Sequence, residues 1–190
     1  MKKSLLAMMA AAALVASCDN KNGKPSSDVA VADTMLTCDA VIDSTLYGAC
    51  GDGSAMNTLQ LITDAGDTVV LSITDANDNG QCFGSFQSGD RMAVILKDAS
   101  TAAQVVNMTA LTGDWLSSPQ SGIRLKADGQ AESIGTGPIE YRSWRLLNGQ
   151  LEIVSTSDGK TEASLYDIVS IGPDSLVFKD DARRFEFSRK

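Results

Sequence analysis

Histidine is absent from the 190-residue sequence. That removes His-dependent nucleophilic triads, imidazole proton transfer and most zinc or copper sites. No apolar run is long enough to cross a bilayer as a helix. The longest, residues 5–16, falls well short of the roughly 20 residues a spanning helix needs. Positive charge is also in deficit: 16 Lys and Arg stand against 24 Asp and Glu, a formal net charge of −8. With no basic run, nucleic acid is excluded as an expected partner, and so is electrostatic docking on anionic lipid. Helical periodicity is scarce. Residues 30–36 are few and β-branched, and residues 99–105 have room for one turn at most.

What is present begins at the N-terminus. Lys2 and Lys3 precede the apolar stretch, the pattern of a secretory signal. It ends in Val15-Ala16-Ser17-Cys18, which resembles the lipobox of bacterial lipoproteins. The resemblance implies that Cys18 receives a diacylglycerol, that the chain is cut before it, and that the new amine is acylated. Residues 1–17 are then a signal peptide, and removing them takes the net charge from −8 to −10. Residues 18–34, rich in Asn, Lys, Gly, Pro and Ser, read as a lipidated flexible tether. Membrane attachment through two or three acyl chains would be firm. The expected location is the cell envelope, facing periplasm or cell surface. The outer membrane is favoured over the inner, although Asp19 resembles an inner-membrane retention signal of some bacteria.

With Cys18 lipidated, Cys38, Cys50 and Cys82 remain. An extracytoplasmic compartment permits disulfides, and both Cys38–Cys50 and Cys50–Cys82 are open pairings, with one thiol left over.

Beyond the tether, short β-branched or aromatic runs recur at residues 45–50, 58–63, 68–74, 81–86 and 91–97, then at 122–126, 130–134, 140–147, 150–156, 163–171, 175–179 and 184–188. Turn clusters separate them, among them Gly51-Asp52-Gly53, residues 75–80 and Asn148-Gly149. This rhythm predicts an all-β fold, and Asn148-Gly149 predicts a two-residue hairpin. Leu151, Ile153 and Ser155 alternate with Gln150, Glu152 and Val154, and Phe185 and Phe187 alternate with charged or hydroxyl neighbours. Such strands bury one face and wet the other. Two small antiparallel modules, residues 35–107 and 108–190, fit best; one larger barrel is the alternative.

Gly113-Asp114-Trp115 resembles the Gly-x-Trp motif that opens the first strand of lipocalins. Counting the Trp115 strand itself, eight strands run to residue 188, the lipocalin number. The resemblance implies a C-terminal lipocalin-like β-barrel, closest to the small lipocalin-like domains of Gram-negative lipoproteins. It implies a barrel end closed by Gly113 and Trp115, with an Arg near the last strand lying across the indole. Arg183 and Arg184 are the candidates, and parity with Phe185 and Phe187 selects Arg183. At half the usual length, such a barrel can be filled by its own side chains or keep a ligand cavity, and the sequence leaves both open. The first module suits a small OB-like barrel, which carries no functional content.

No catalytic set emerges. Ser54 is not in a Gly-x-Ser-x-Gly elbow. Residues 75–80 resemble the start of an EF-hand loop, but Phe86 stands where the bidentate Glu belongs. No enzyme activity, metal or cofactor is expected. Asp33-Thr34-Met35, Asp67-Thr68-Val69 and Asp174-Ser175-Leu176 resemble the acceptor triplets of a bacterial O-glycosylation system. Two functions compete. One is binding of a small apolar or amphipathic ligand, with Tyr141, Trp144, Tyr166 and Phe178 lining the barrel mouth. The other is a non-catalytic structural or protein-interaction module of the envelope.

Overall fold

Residues 41–190 are described by a computed structural model. The signal segment, the tether, Cys18 and Cys38 lie outside the described residues. The segments rich in β-branched residues form two antiparallel systems. The first comprises β1 (Leu46–Cys50), β2 (Thr58–Thr63), β3 (Thr68–Ser72), the single-turn helix α1 (Thr74–Asp78), β4 (Cys82–Phe83), β5 (Arg91–Asp98) and β6 (Thr101–Asn107). Its strand order is β3-β2-β1-β5-β6-β4, and a further parallel pairing of Ser72 with Thr101 joins β3 to β6. Five strands therefore close a ring, the partly open barrel of the OB type. Cross-strand partners share a face, so Leu59 opposite Leu71 and Cys50 opposite Leu61 point into one core with Met92, Val94 and Val105.

Two local readings change here. The sequence of residues 99–105 allows one helical turn at most and marks no strand, yet most of them belong to β6. Val94 pairs with Val105 and Ala93 with Val106, so pairing with β5 overrides the alanines' helical preference. Residues 75–80, read as a hairpin turn, instead carry most of α1, because Ala76 is buried in the core and Asn77 N–H reaches the Ile73 carbonyl.

The second system follows the short helix α2 (Met108–Leu111). Its strands are β7 (Gly113–Ser118), β8 (Ser121–Leu125), β9 (Ala131–Ile134), β10 (Ile139–Leu147), β11 (Gln150–Ser157), β12 (Lys160–Ile171), β13 (Ser175–Lys179) and β14 (Arg184–Arg189). They pair in the order β10-β11-β12-β13-β14-β7-β8-β9. The two edges meet: Gln130 bridges Ser143, and Trp144 N–H donates to the Gly129 carbonyl at 2.8 Å. Ser133 spans the rest of the seam with its hydroxyl, which donates to Ile139 O (2.8 Å) and accepts from Tyr141 N (3.0 Å). Asn148 and Gly149 hold φ of 49° and 82°, the left-handed pair that a two-residue hairpin needs.

Trp115, fully buried, plugs the lower end of this barrel, and its Nε1 donates to Leu111 O at 2.7 Å. The arginine lying over it is Arg189, with Cζ 4.1 Å from the ring centroid. This corrects the assignment of Arg183, which sits 5.4 Å from the Phe185 centroid instead. The reason is register. β14 runs antiparallel to β7 and pairs Arg189 with Trp115, so Arg183 lies beyond the opposite end of the strand. Arg189 also donates to Pro173 O (2.7 Å), Ala110 O (2.8 Å) and Thr112 O (3.0 Å). Gly113, at φ 136°, leaves the space this guanidinium occupies: a Cβ there would lie 2.5 Å from Nη1.

The two systems share packing. Phe83, Ala93 and Val106 of the first join Leu111 and Trp115 in one apolar cluster. Asn107, 2% exposed, caps α2 by accepting from Ala110 N and donates to Ser85 O and Asp90 Oδ2. Residues before and at the start of β1 clasp the β10–β11 hairpin: Asn148 Nδ2 donates to Ile42 O, Ser44 N donates to Asn148 Oδ1, and the Tyr47 hydroxyl donates to Leu146 O at 2.7 Å.

Charge-assisted hydrogen bonds and stacking on an indole place the cost of Arg189→Ala at about 2–4 kcal/mol. Arg183→Ala, on an exposed ring edge, should cost below about 1 kcal/mol. Urea denaturation of the two variants gives the comparison, and a midpoint for Arg189→Ala no lower than that for Arg183→Ala contradicts the assignment.

Candidate functional site at the barrel mouth

The eight strands sort their side chains by parity, and the pairing register fixes which set faces the lumen. Trp115 pairs with Ile123, Trp144 with Ile153, Leu146 with Leu151, and Leu176 with Phe187. All eight are buried, and they fill the half of the barrel nearest α2. In this layer the ring of Phe178 lies 5.2 Å from Phe187 and 4.9 Å from Tyr166. Trp144 directs its Nε1 to Lys126 O at 2.8 Å.

The same inward face changes character toward the other end. Ser155 follows Ile153 on β11 and pairs with Tyr141; Ser164 precedes Tyr166 on β12 and pairs with Ile153. Phe185 pairs with Phe178 on the strand that leads to the exposed Arg183. Tyr141, Tyr166, Phe185, Ser155 and Ser164 are each half-buried. Tyr166 and Phe185 meet edge to face at 5.5 Å. A recess of about 170 Å³ opens on this rim between Ser117, Ser121, Ser133, Ile139 and Tyr141. The mouth is thus a shallow cup of rings and hydroxyls standing on a packed floor.

Of the four residues expected to line a ligand, Tyr141 and Tyr166 stand at the cup. Trp144 and Phe178, 4% and 3% exposed, belong to the floor. Their side chains are engaged by neighbours, so the placement of these two at the mouth is corrected. Phe185 and the two serines were missed, although period-2 alternation from Ile153, Tyr166 and Phe187 would have found them. Arg189 was missed for a different reason. It shares parity with Arg183, and only the direction of β14 relative to β7 separates them.

Electrostatically the cup is mild. Burial pushes the Tyr141 phenol above its ordinary range, and Tyr166 nearby adds to the shift. Tyr141 is therefore neutral at physiological pH. Neither phenol hydroxyl has a hydrogen-bond partner among the described residues. Arg183 stands at the rim without a carboxylate within salt-bridge distance among the described residues, whereas Arg184 pairs with Glu186 at 2.8 Å.

The two cysteines of the described residues stand apart from the mouth. Cys50 and Cys82 are both free thiols, so they are not joined to each other; Cys38 lies outside the described residues. Cys50 is buried, and burial pushes Cys82 up to about 11, which leaves very little thiolate at neutral pH. Among the described residues no three His, Cys, Asp or Glu converge as a metal site.

Comparison with known proteins agrees with the barrel. The model of the lipocalin-like family matches residues 107–190. A crystal structure of a lipocalin-like protein from Bacteroides thetaiotaomicron VPI-5482 is similar over 42% of this chain and 96% of that chain, at 23% sequence identity and a TM-score of 0.38. No curated protein matches.

The phenols give a pH signature. Tyr47, half-buried under the hairpin clasp and bonded to Asp43, is pushed up to about 12, chiefly by burial. A phenol with a raised folded pKa contributes stability that is whole below the unfolded value of 10.0 and is lost as pH climbs through the folded one. Absorbance titration at alkaline pH should show a step near 12 that Tyr47→Phe removes. Stability should fall between pH 10 and 12 in the parent and less in the variant.

Proposed function

Proceeding from a lipocalin-like barrel over residues 107–190, we propose that this chain is a non-catalytic binding module, tethered to the cell envelope through lipid on Cys18. It takes a small amphipathic ligand at the barrel mouth. One observation carries the reading: the inward face passes from packed apolar side chains at Ile153 to half-buried Tyr141 and Ser155, with the half-buried rings of Tyr166 and Phe185 meeting edge to face on the neighbouring strands. A deep calyx would need an empty floor, and the floor is occupied by Trp115, Trp144 and Phe178. The ligand therefore rests on the cup, its apolar part against Phe185 and Tyr166. Tyr141 is available to donate to a polar group, and Arg183 favours an acidic one. The lipobox resemblance and the basic-then-apolar N-terminus support the tether, with the outer membrane preferred over the inner.

A second reading, a protein-interaction module of the envelope, is favoured by Ile62 and Val70. These lie 46% and 59% exposed on neighbouring strands β2 and β3, away from the core. Crosslinking in the parent cell that recovers only monomer counts against it.

Dansyl-undecanoic acid serves as a probe for the mouth. The full chain in mild detergent should take it up saturably at one per chain, with affinity at least about tenfold lower in Phe185→Ala or Tyr166→Ala, the size expected for a lost ring contact. Uptake that is absent, or equal in parent and variants, overturns the mouth assignment. Cys18→Ser should abolish palmitate labelling and release the protein from membranes; retention without the thiol overturns the tether.

A further inference from the structure

Outside the lumen, a groove of about 450 Å³ runs between the first system's β4–β6 side and the outer face of β11–β13. That volume lies within the range of small-molecule sites, about 300–1,000 Å³. Its chemistry differs from the mouth. Gln81, Gln104 and Gln150 line it together with Asp167 and Lys179. Phe83 and Ile168 close its floor.

The polar groups are arranged without net charge. Asp167 and Lys179 are direct partners across β12 and β13, one negative and one positive. Gln150 Nε2 donates to Asp167 Oδ1 at 2.8 Å, which leaves the Gln150 oxygen and the second carboxylate oxygen as acceptors. The side chains of Gln81 and Gln104 are half-buried and have no hydrogen-bond partner among the described residues. Gln104 Oε1 lies against the β10–β11 turn, where a Cβ on Gly149 would be 1.9 Å from it.

Donors and acceptors thus face the groove from both sides, Gln81 and Gln104 from the first system and Gln150, Asp167 and Lys179 from the barrel. A purely apolar ligand would strip water from these carboxamides without replacing it, at about 1–3 kcal/mol for each group left unpaired. A charged ligand would gain from one member of the Asp167 and Lys179 pair and lose to the other. A hydroxyl both donates and accepts, and a ligand carrying several on adjacent carbons matches this mixture of carboxamides, carboxylate and ammonium. We infer that this groove is a binding site for a neutral saccharide, distinct from the barrel mouth and independent of what the mouth binds.

The test uses the full chain in detergent, labelled with ¹⁵N, titrated with neutral gluco-, manno- and N-acetylglucosamine oligosaccharides. A parallel arm presents a neutral glycolipid in phosphatidylcholine vesicles. Saturable shifts of the Gln81, Gln104 and Gln150 side-chain amides are expected with at least one oligosaccharide. Gln104→Leu should weaken that binding at least tenfold, and Lys179→Ala, on the exposed rim, at least threefold with folding unchanged. Response to free oligosaccharide identifies a soluble ligand; response to vesicles alone identifies a membrane glycan. Tyr166→Ala should leave these shifts intact even where probe uptake at the mouth fails. No amide response in either arm, response only to acidic saccharides, or binding undiminished in both groove variants overturns the assignment.

Discussion

The barrel depends on the closure of one end by Trp115 and Arg189. The indole fills the lumen where the first strand enters, and the guanidinium lies over its face while bonding three carbonyls from the segments on either side. Those carbonyls belong to the chain entering β7 and to the β12–β13 turn. One side chain thereby ties the start of the barrel to its last strands. Buried carbonyls without a partner are costly, so the clamp also satisfies backbone that the short loops cannot cover. Everything above the plug inherits its position: the packed layer of Trp144 and Phe178, then the cup of Tyr141, Tyr166 and Phe185.

The second constraint is the fusion of the two strand systems. Phe83, Ala93 and Val106 extend the barrel's apolar cluster into the N-terminal sheet, and Asn107 links the two through buried hydrogen bonds. The clasp around Asn148 brings the residues before β1 onto the barrel's hairpin. A groove lined from both sides keeps its shape only if such contacts hold. Outward ion pairs such as Lys97 with Asp75 at 2.6 Å are solvent-exposed and contribute little by comparison.

Much of this was readable in the sequence because turn chemistry is local. Asn148-Gly149 specifies its hairpin from two residues, and the Gly-Asp clusters delimit strands without reference to their partners. The alternation of Leu151, Ile153 and Ser155 already contained the change from floor to cup. What escaped depends on which partner each segment meets in the fold. β6 is a strand because β5 lies beside it, α1 forms because Ala76 has a core to enter, and Arg189 rather than Arg183 meets Trp115 because β14 runs antiparallel to β7. Likewise Trp144 and Tyr141 share one strand and one face, and only their height in the barrel separates a floor residue from a mouth residue.

The central claim is a lumen packed up to Ile153 and open above it. The chain's two tryptophans, Trp115 and Trp144, both lie in the packed layer, so collisional quenching reads that layer directly. Tryptophan emission from the native protein should be blue-shifted and resistant to iodide and acrylamide, separately in Trp115→Phe and Trp144→Phe. Red-shifted emission quenched as readily as free indole in either variant would mean a lumen open to its floor, and the account would be wrong.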